Sequence, residues 1–187
     1  MSGLLSDRPY EVFRFDRAAY ARLEDAGAFV GQRVELIDGV ILRKHRTSPA
    51  RAQAVVTLAH RLVGQVTGAD QLRPGCPLRL SDHSEPEPAF AIVAAHDVGD
   101  DEHPRTASLV IEISDTSLSF DLGLKADLYA AAKIPEYWVV DLVHQKLVVH
   151  LSPKRGKYTR VSRFGRGKSV TSTVAPKVTV AVDSLFR

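Results

Sequence analysis

In Leu109-Val-Ile-Glu112-Ile113 a carboxylate interrupts a run that is otherwise apolar. Continuous apolar runs of this length belong to central strands covered on both faces. A buried unpaired charge there costs several kcal/mol, so Glu112 needs a cation, a donor network or a water-filled cleft. Further along, Asp121-Leu-Gly-Leu-Lys125-Ala-Asp-Leu-Tyr129 places Asp121, Lys125 and Tyr129 four residues apart, on one face of a helix. That helix leaves the end of the strand carrying Glu112, which brings the Lys125 amine within reach of the same cleft. The plain alternatives are structural: Glu112 paired with any nearby Lys or Arg, and Lys125 paired with Asp121 on a surface, where such pairs contribute little. Another acidic position is Glu35 in Arg33-Val-Glu-Leu-Ile-Asp-Gly39. Strand alternation puts Glu35 on the face opposite Val34 and Leu36, where it is either solvated or part of a site.

The elements that position these residues follow from punctuation and period. Residues 16–27 read as an N-terminal helix, with Asp16 as N-cap and Gly27 as its stop. Asp38-Gly39 between two apolar runs signals a hairpin, because both residues tolerate positive φ. Ser48-Pro49 opens a helix to about Val66, with Ser48 capping and Pro49 at the first helical position. Val55, Leu58, Ala59 and Leu62 follow the helical period. Gln71 to Leu80 reads as a strand broken by Pro74-Gly75, and Glu85-Pro-Glu-Pro-Ala89 as a stiff entry into the strand Phe90–Val93. After the Glu112 strand come a helix from Asp121 to about Lys133, a central strand Glu136–Asp141 and its hairpin partner Lys146–Leu151. Shorter strands follow at 158–161, 170–174 and 178–182. The order implies one α/β (α+β) domain over residues 1–187: a core at 33–141 with a central mixed sheet flanked by helices, and basic hairpins at 142–187.

Composition sets the outer limits. A chain of 187 residues, 44% hydrophobic and 25% charged, buries enough surface to fold without a metal or disulfide. A single cysteine, Cys76, excludes an internal disulfide and a Cys-rich zinc site. The seven histidines, His45, His60, His83, His96, His103, His144 and His150, have no metal-ligand spacing and read as surface or supporting residues. No apolar run approaches membrane-spanning length and the start lacks a secretory pattern, so the expected location is the cytoplasm, away from membranes. Ser117 and Ser119 read as helix-start residues, since no base or nucleophile elbow adjoins them.

Charge is uneven. Met1 to Asp141 carries 15 Lys/Arg against 21 Asp/Glu, whereas Leu142 to Val182 carries nine basic residues and no acidic one. Lys154, Arg155, Lys157, Arg160, Arg163, Arg166 and Lys168, interleaved with Tyr158 and Phe164, form either a solvated basic hairpin or a surface that contacts phosphates without reading sequence.

Six segments in order resemble the Uma2 family, a branch of the PD-(D/E)XK nuclease superfamily with a restriction endonuclease-like fold. They are Arg33-Val-Glu35-Leu-Ile-Asp-Gly39, Ser48-Pro49, Ser84-Glu-Pro-Glu-Pro88, Val110-Ile-Glu112-Ile-Ser114, Asp121-x-x-x-Lys125-x-x-x-Tyr129 and Ile134-Pro-Glu-Tyr-Trp-Val-Val-Asp141. The likeness runs from about Tyr20 to Phe186. It implies a Mg²⁺- or Mn²⁺-dependent DNA endonuclease, working as a homodimer if both strands are cut. Glu35 and Glu112 would be metal ligands, and Lys125 would partner water or phosphate. Asp121 and Tyr129 would support the site. Hard oxygen ligands suit Mg²⁺, and the ion with Lys125 would offset charge developing on phosphate.

Two positions depart from the family pattern. Where the family has Pro-Asp this chain has Pro88-Ala89, so the second metal-binding carboxylate is missing; where the family often has a His after Ser-Pro, it has Arg51. Losing one carboxylate at a cost of ~4 kcal/mol slows hydrolysis about 10³-fold. Glu87, two residues before Ala89 and on the same face of an extended strand, is a candidate substitute ligand, although Pro88 stiffens the segment. Otherwise Ala89 marks a deliberate substitution or a natural degeneration. The alternative function is a catalytically inactive nucleic-acid-binding or regulatory module on the same fold. Beyond it lies a structural or interaction protein with a vestigial cleft.

Overall fold

The computed structural model describes residues 11–99 and 102–186, which divide into two units. The smaller contains the described residues of Met1–His45 together with Ser81–Pro86. Its helix α1 (Arg17–Asp25) begins where Asp16 accepts the Ala19 amide at 2.7 Å, and the chain turns at Gly27 with φ 76°. Strands β1 (Val34–Ile37) and β2 (Val40–Arg43) then pair antiparallel across Asp38 and Gly39. Both turn residues have positive φ, 49° and 72°, the conformation that the Asp-Gly pair supplies at low cost. The Ser84 hydroxyl accepts the Asp38 amide at 2.9 Å, and the Glu85 amide donates to the Leu36 carbonyl, fastening 81–86 onto this hairpin.

The larger unit, Arg46–Leu80 with Glu87–Arg187, is a six-stranded sheet clothed on both faces. Its first helix, α2 (Pro49–Val63), has the expected Ser48 cap but stops at Gly64, before Val66; glycine carries the largest backbone-entropy cost of any non-proline residue in a helix. Strands β3 (Asp70–Pro74) and β4 (Phe90–Ala94) come next, then β5 (Leu109–Ser114). Helix α3 (Leu118–Phe120) passes through a π-helical turn, Asp121–Lys125, into α4 (Ala126–Ala131). The sheet continues through β6 (Glu136–Asp141), β7 (Lys146–Lys154) and β8 (Lys157–Phe164). A small antiparallel pair, β9 (Ser169–Thr171) and β10 (Thr179–Ala181), follows.

Strand order in the large sheet is β3-β4-β5-β6-β7-β8, antiparallel throughout except for the parallel pair β5–β6. Alternation along β5 sorts its side chains between two cores. Leu109, Ile111 and Ile113 pack with Leu58 and Leu62 of α2, while Val110 packs with Ala126 and Tyr129 of α4. Every residue of β5 and β6 is buried, the polar Glu112, Ser114, Glu136 and Asp141 along with the apolar majority. Near the far end of β7, Ser152 takes a left-handed φ of 58°, and Tyr158 tucks against Tyr137 and His150 with its hydroxyl on the Ile134 carbonyl at 2.8 Å.

Candidate active site

Glu112 faces α4 rather than α2, and it is 3% exposed. Its Oε1 accepts Lys125 Nζ at 2.7 Å and the Tyr129 hydroxyl at 3.2 Å. Its Oε2 accepts the Ala89 amide from the neighbouring strand segment at 3.3 Å. Position 89 thus adjoins Glu112 through its backbone, while the Ala89 methyl belongs to the core cluster that contains Leu58 and Leu62 of α2. Asp121 and Lys125 open and close the π-helical turn, and residues four apart share a helical face, so both are turned inward and each is 3% exposed.

Asp121 is not Lys125's surface partner. Its Oδ2 accepts the Ser114 and Ser117 hydroxyls, each at 2.6 Å. Burial first, and then the charge of Glu112, raise its carboxyl to about 6, against the opposing pull of Lys125 and the two serines. Two carboxylates thus share one ammonium. Ser117 serves this cluster instead of capping α3, whose N-cap makes no side-chain hydrogen bond.

The C-terminal end of β5 is held from the other face by α2. Arg51 Nε donates to the Ile113 carbonyl at 3.0 Å, and the Ser48 hydroxyl donates to Asp115 Oδ2 at 2.7 Å. Although its burial acts the other way, hydrogen bonds from Ser48 and Thr116 hold the Asp115 carboxyl below its usual range. Sequence reasoning noted Arg51 only as a departure from a pattern. Its contact depends on helix and strand meeting, which no spacing encodes.

Glu87 is half-buried beside the β3 turn, its Oε1 3.8 Å from where a Cβ on Gly75 would sit. Glu35 lies in the smaller unit, 5% exposed, with Lys44 Nζ 3.6 Å from its Oε2; it is buried and paired there, not solvated. The basic residues Lys154, Arg155, Lys157, Arg160, Arg163, Arg166 and Lys168 are all exposed along and just beyond the β7–β8 hairpin. Lys157 pairs with Asp127, and Arg166 lies 3.8 Å from Asp183. Among the described residues no helix is long and apolar enough to cross a membrane.

A model of the Uma2 family, described as "Putative restriction endonuclease", matches residues 17–183. The chain belongs to the Uma2 family. Among solved structures, a "putative nuclease belonging to DUF820 from Anabaena variabilis" is similar to it with a TM-score of 0.63 and 14% identity, covering 82% of this chain and 89% of that one. At that identity the likeness establishes a shared architecture, the restriction endonuclease-like fold. No curated protein matches the chain.

Nucleases of this fold generally use divalent metals. Among the described residues no three His, Cys, Asp or Glu side chains are grouped to hold an ion. Mg²⁺ does not require such a cage, since it is commonly bound through one or two carboxylates and completes its shell with water and substrate phosphate. The hard oxygens of Glu112, within electrostatic reach of a second acid, fit that mode. They fit an ion shared with a phosphate.

Proposed function

We propose that this Uma2 protein is a DNA endonuclease that hydrolyses phosphodiesters with Mg²⁺ or Mn²⁺, at a rate held down by Ala89. The observation that carries this reading is the buried Glu112–Lys125–Tyr129 cluster beside position 89, where the family pattern puts its catalytic groups. Glu112 would hold the ion, with Glu87, two residues before position 89 on the neighbouring segment, as the further carboxylate. The ion, when bound, polarises the phosphate and lowers the pKa of a bound water. Lys125 holds Glu112 in place through its 2.7 Å contact, and its ammonium stabilises negative charge near the phosphate. Tyr129 fixes the rotamer of Glu112, and Asp121 orders the strand end through Ser114 and Ser117.

DNA is held by its backbone along the edge strand β8. Nearly all of β8 is exposed, and its Arg160 and Arg163 have no ion-pair partner among the described residues. Pairing of this edge with a second copy would set like charges against each other, which disfavours sheet extension and leaves the strand free for a polyanion. Cutting both strands of a duplex then takes two copies joined elsewhere.

The test is nicking of supercoiled plasmid. Cleavage that requires Mg²⁺ or Mn²⁺, is removed by EDTA and is abolished by Glu112→Ala supports the reading. Salt-sensitive DNA binding with no cleavage at any metal concentration replaces it with the second reading, a phosphate-binding module. Ala89 is the observation that favours that alternative.

A further inference from the structure

Arg51 sits in the first turn of α2, and two bonds pin that turn to the end of β5: Ser48 to Asp115 and Arg51 Nε to the Ile113 carbonyl. Ser48 Oγ also accepts the Arg51 amide at 3.1 Å, which fixes the backbone from which the side chain projects. The guanidinium is therefore held by its inner nitrogen. Its two outer nitrogens bond to none of the described residues, and no carboxylate lies within ion-pair distance of them there. A half-buried Arg in this state has already surrendered much of its rotamer freedom while keeping its fork of donors open. That geometry suits bidentate recognition of a phosphate.

The acid at the same strand end does not occupy that fork. Asp115 accepts Ser48 Oγ on its Oδ2 and the Thr116 amide and hydroxyl on its Oδ1, and it makes no ion pair with Arg51 among the described residues.

Resting on the proposed DNA-directed function, we propose that Arg51 is a phosphate-binding residue, its outer nitrogens holding a backbone phosphate at the carboxyl end of β5 whether or not a divalent ion is present. Binding of DNA is then separable from its hydrolysis: Arg51 grips the phosphate, and the metal is needed only for the chemical step.

Fluorescence anisotropy with a short labelled duplex, in EDTA at low salt, tests this with the full chain. The unaltered protein is expected to bind in EDTA. Arg51→Gln is expected to weaken binding about 10-fold or more, and to reduce the slope of log affinity against log salt by about one. Arg51→Lys, which keeps the charge and guards against a folding defect, is expected to restore the slope and only part of the affinity. Thermal unfolding of each variant accompanies the titrations. Equal affinity and slope for folded Arg51→Gln overturns the assignment. Binding that appears only with Mg²⁺ overturns its metal independence. No binding to DNA under either condition overturns the DNA-directed reading itself, and this inference with it.

Discussion

Two buried carboxylates stand in adjacent parallel strands, at opposite ends of the pair. Glu136 opens β6 and is fully buried; Glu112 lies near the end of β5 and is 3% exposed. Glu136 accepts the Trp138 indole at 2.6 Å, the Ser172 hydroxyl at 3.0 Å, and both the amide and the hydroxyl of Thr173 at 2.8 Å. All four donors are neutral. Glu112 has an ammonium, a phenol and one amide, with a second carboxylate close enough to be perturbed by its charge. The burial is the same and the partners differ. Neutral donors saturate Glu136 and fasten the segment after β9 to the sheet, which is a structural task. Glu112 is balanced by a buried ammonium at the carboxyl end of a parallel strand pair, the end at which α/β sheets present ligands.

The largest effect expected from breaking this contrast is at Glu112. Glu112→Ala removes the carboxylate hydrogen-bonded to the buried Lys125 ammonium, a loss of about 3–5 kcal/mol in chemical denaturation. Adding Lys125→Met recovers most of that stability and none of the cleavage. A double variant as unstable as the single one contradicts the pairing. Glu136→Gln keeps the shape but turns an amide donor toward neighbouring donors, for a loss of about 1–3 kcal/mol. Nicking below the lowered Tm is expected to be unchanged, because Glu136 stands at the other end of the strand pair.

Asp121 sharpens the comparison through pH. Folding raises its carboxyl from 3.8 to about 6, so the folded state holds the proton more tightly than the unfolded chain. Stability from this group is full below about pH 4 and is lost as pH rises through about 6, an effect of about 3 kcal/mol. The stability of the unaltered protein relative to Asp121→Asn should fall by that order between pH 4 and 7. A difference that stays flat with pH contradicts the assignment. The smallest effect is at Tyr129→Phe, which removes one hydrogen bond from Glu112 and costs about 1 kcal/mol.

Much of this was legible beforehand. The carboxylate in an apolar strand and the helical spacing of Lys125 and Tyr129 placed three groups that do meet, and Asp38-Gly39 and Ser48-Pro49 marked their turn and cap. Other features depend on contacts between segments far apart in the chain. Alternation gave the face of Glu35 but not what covers it, so its burial against Lys44 was not readable. The network around Glu136 draws on Ser172 and Thr173, far along the chain, and nothing in the block Ile134–Asp141 announces them. The π-helical turn was likewise hidden, because a pattern with both Asp121 and Lys125 inward also fits an ordinary helix.

The central claim is that position 89 lies in the hydrolytic centre and that its methyl group limits the reaction. Titrating Mg²⁺ and Mn²⁺ against the unaltered protein and Ala89→Asp, read as plasmid nicking, tests it most directly. The account predicts a rate about 10³-fold higher for Ala89→Asp, saturating at lower metal concentration. Indistinguishable metal dependence and rate in the two proteins would contradict it.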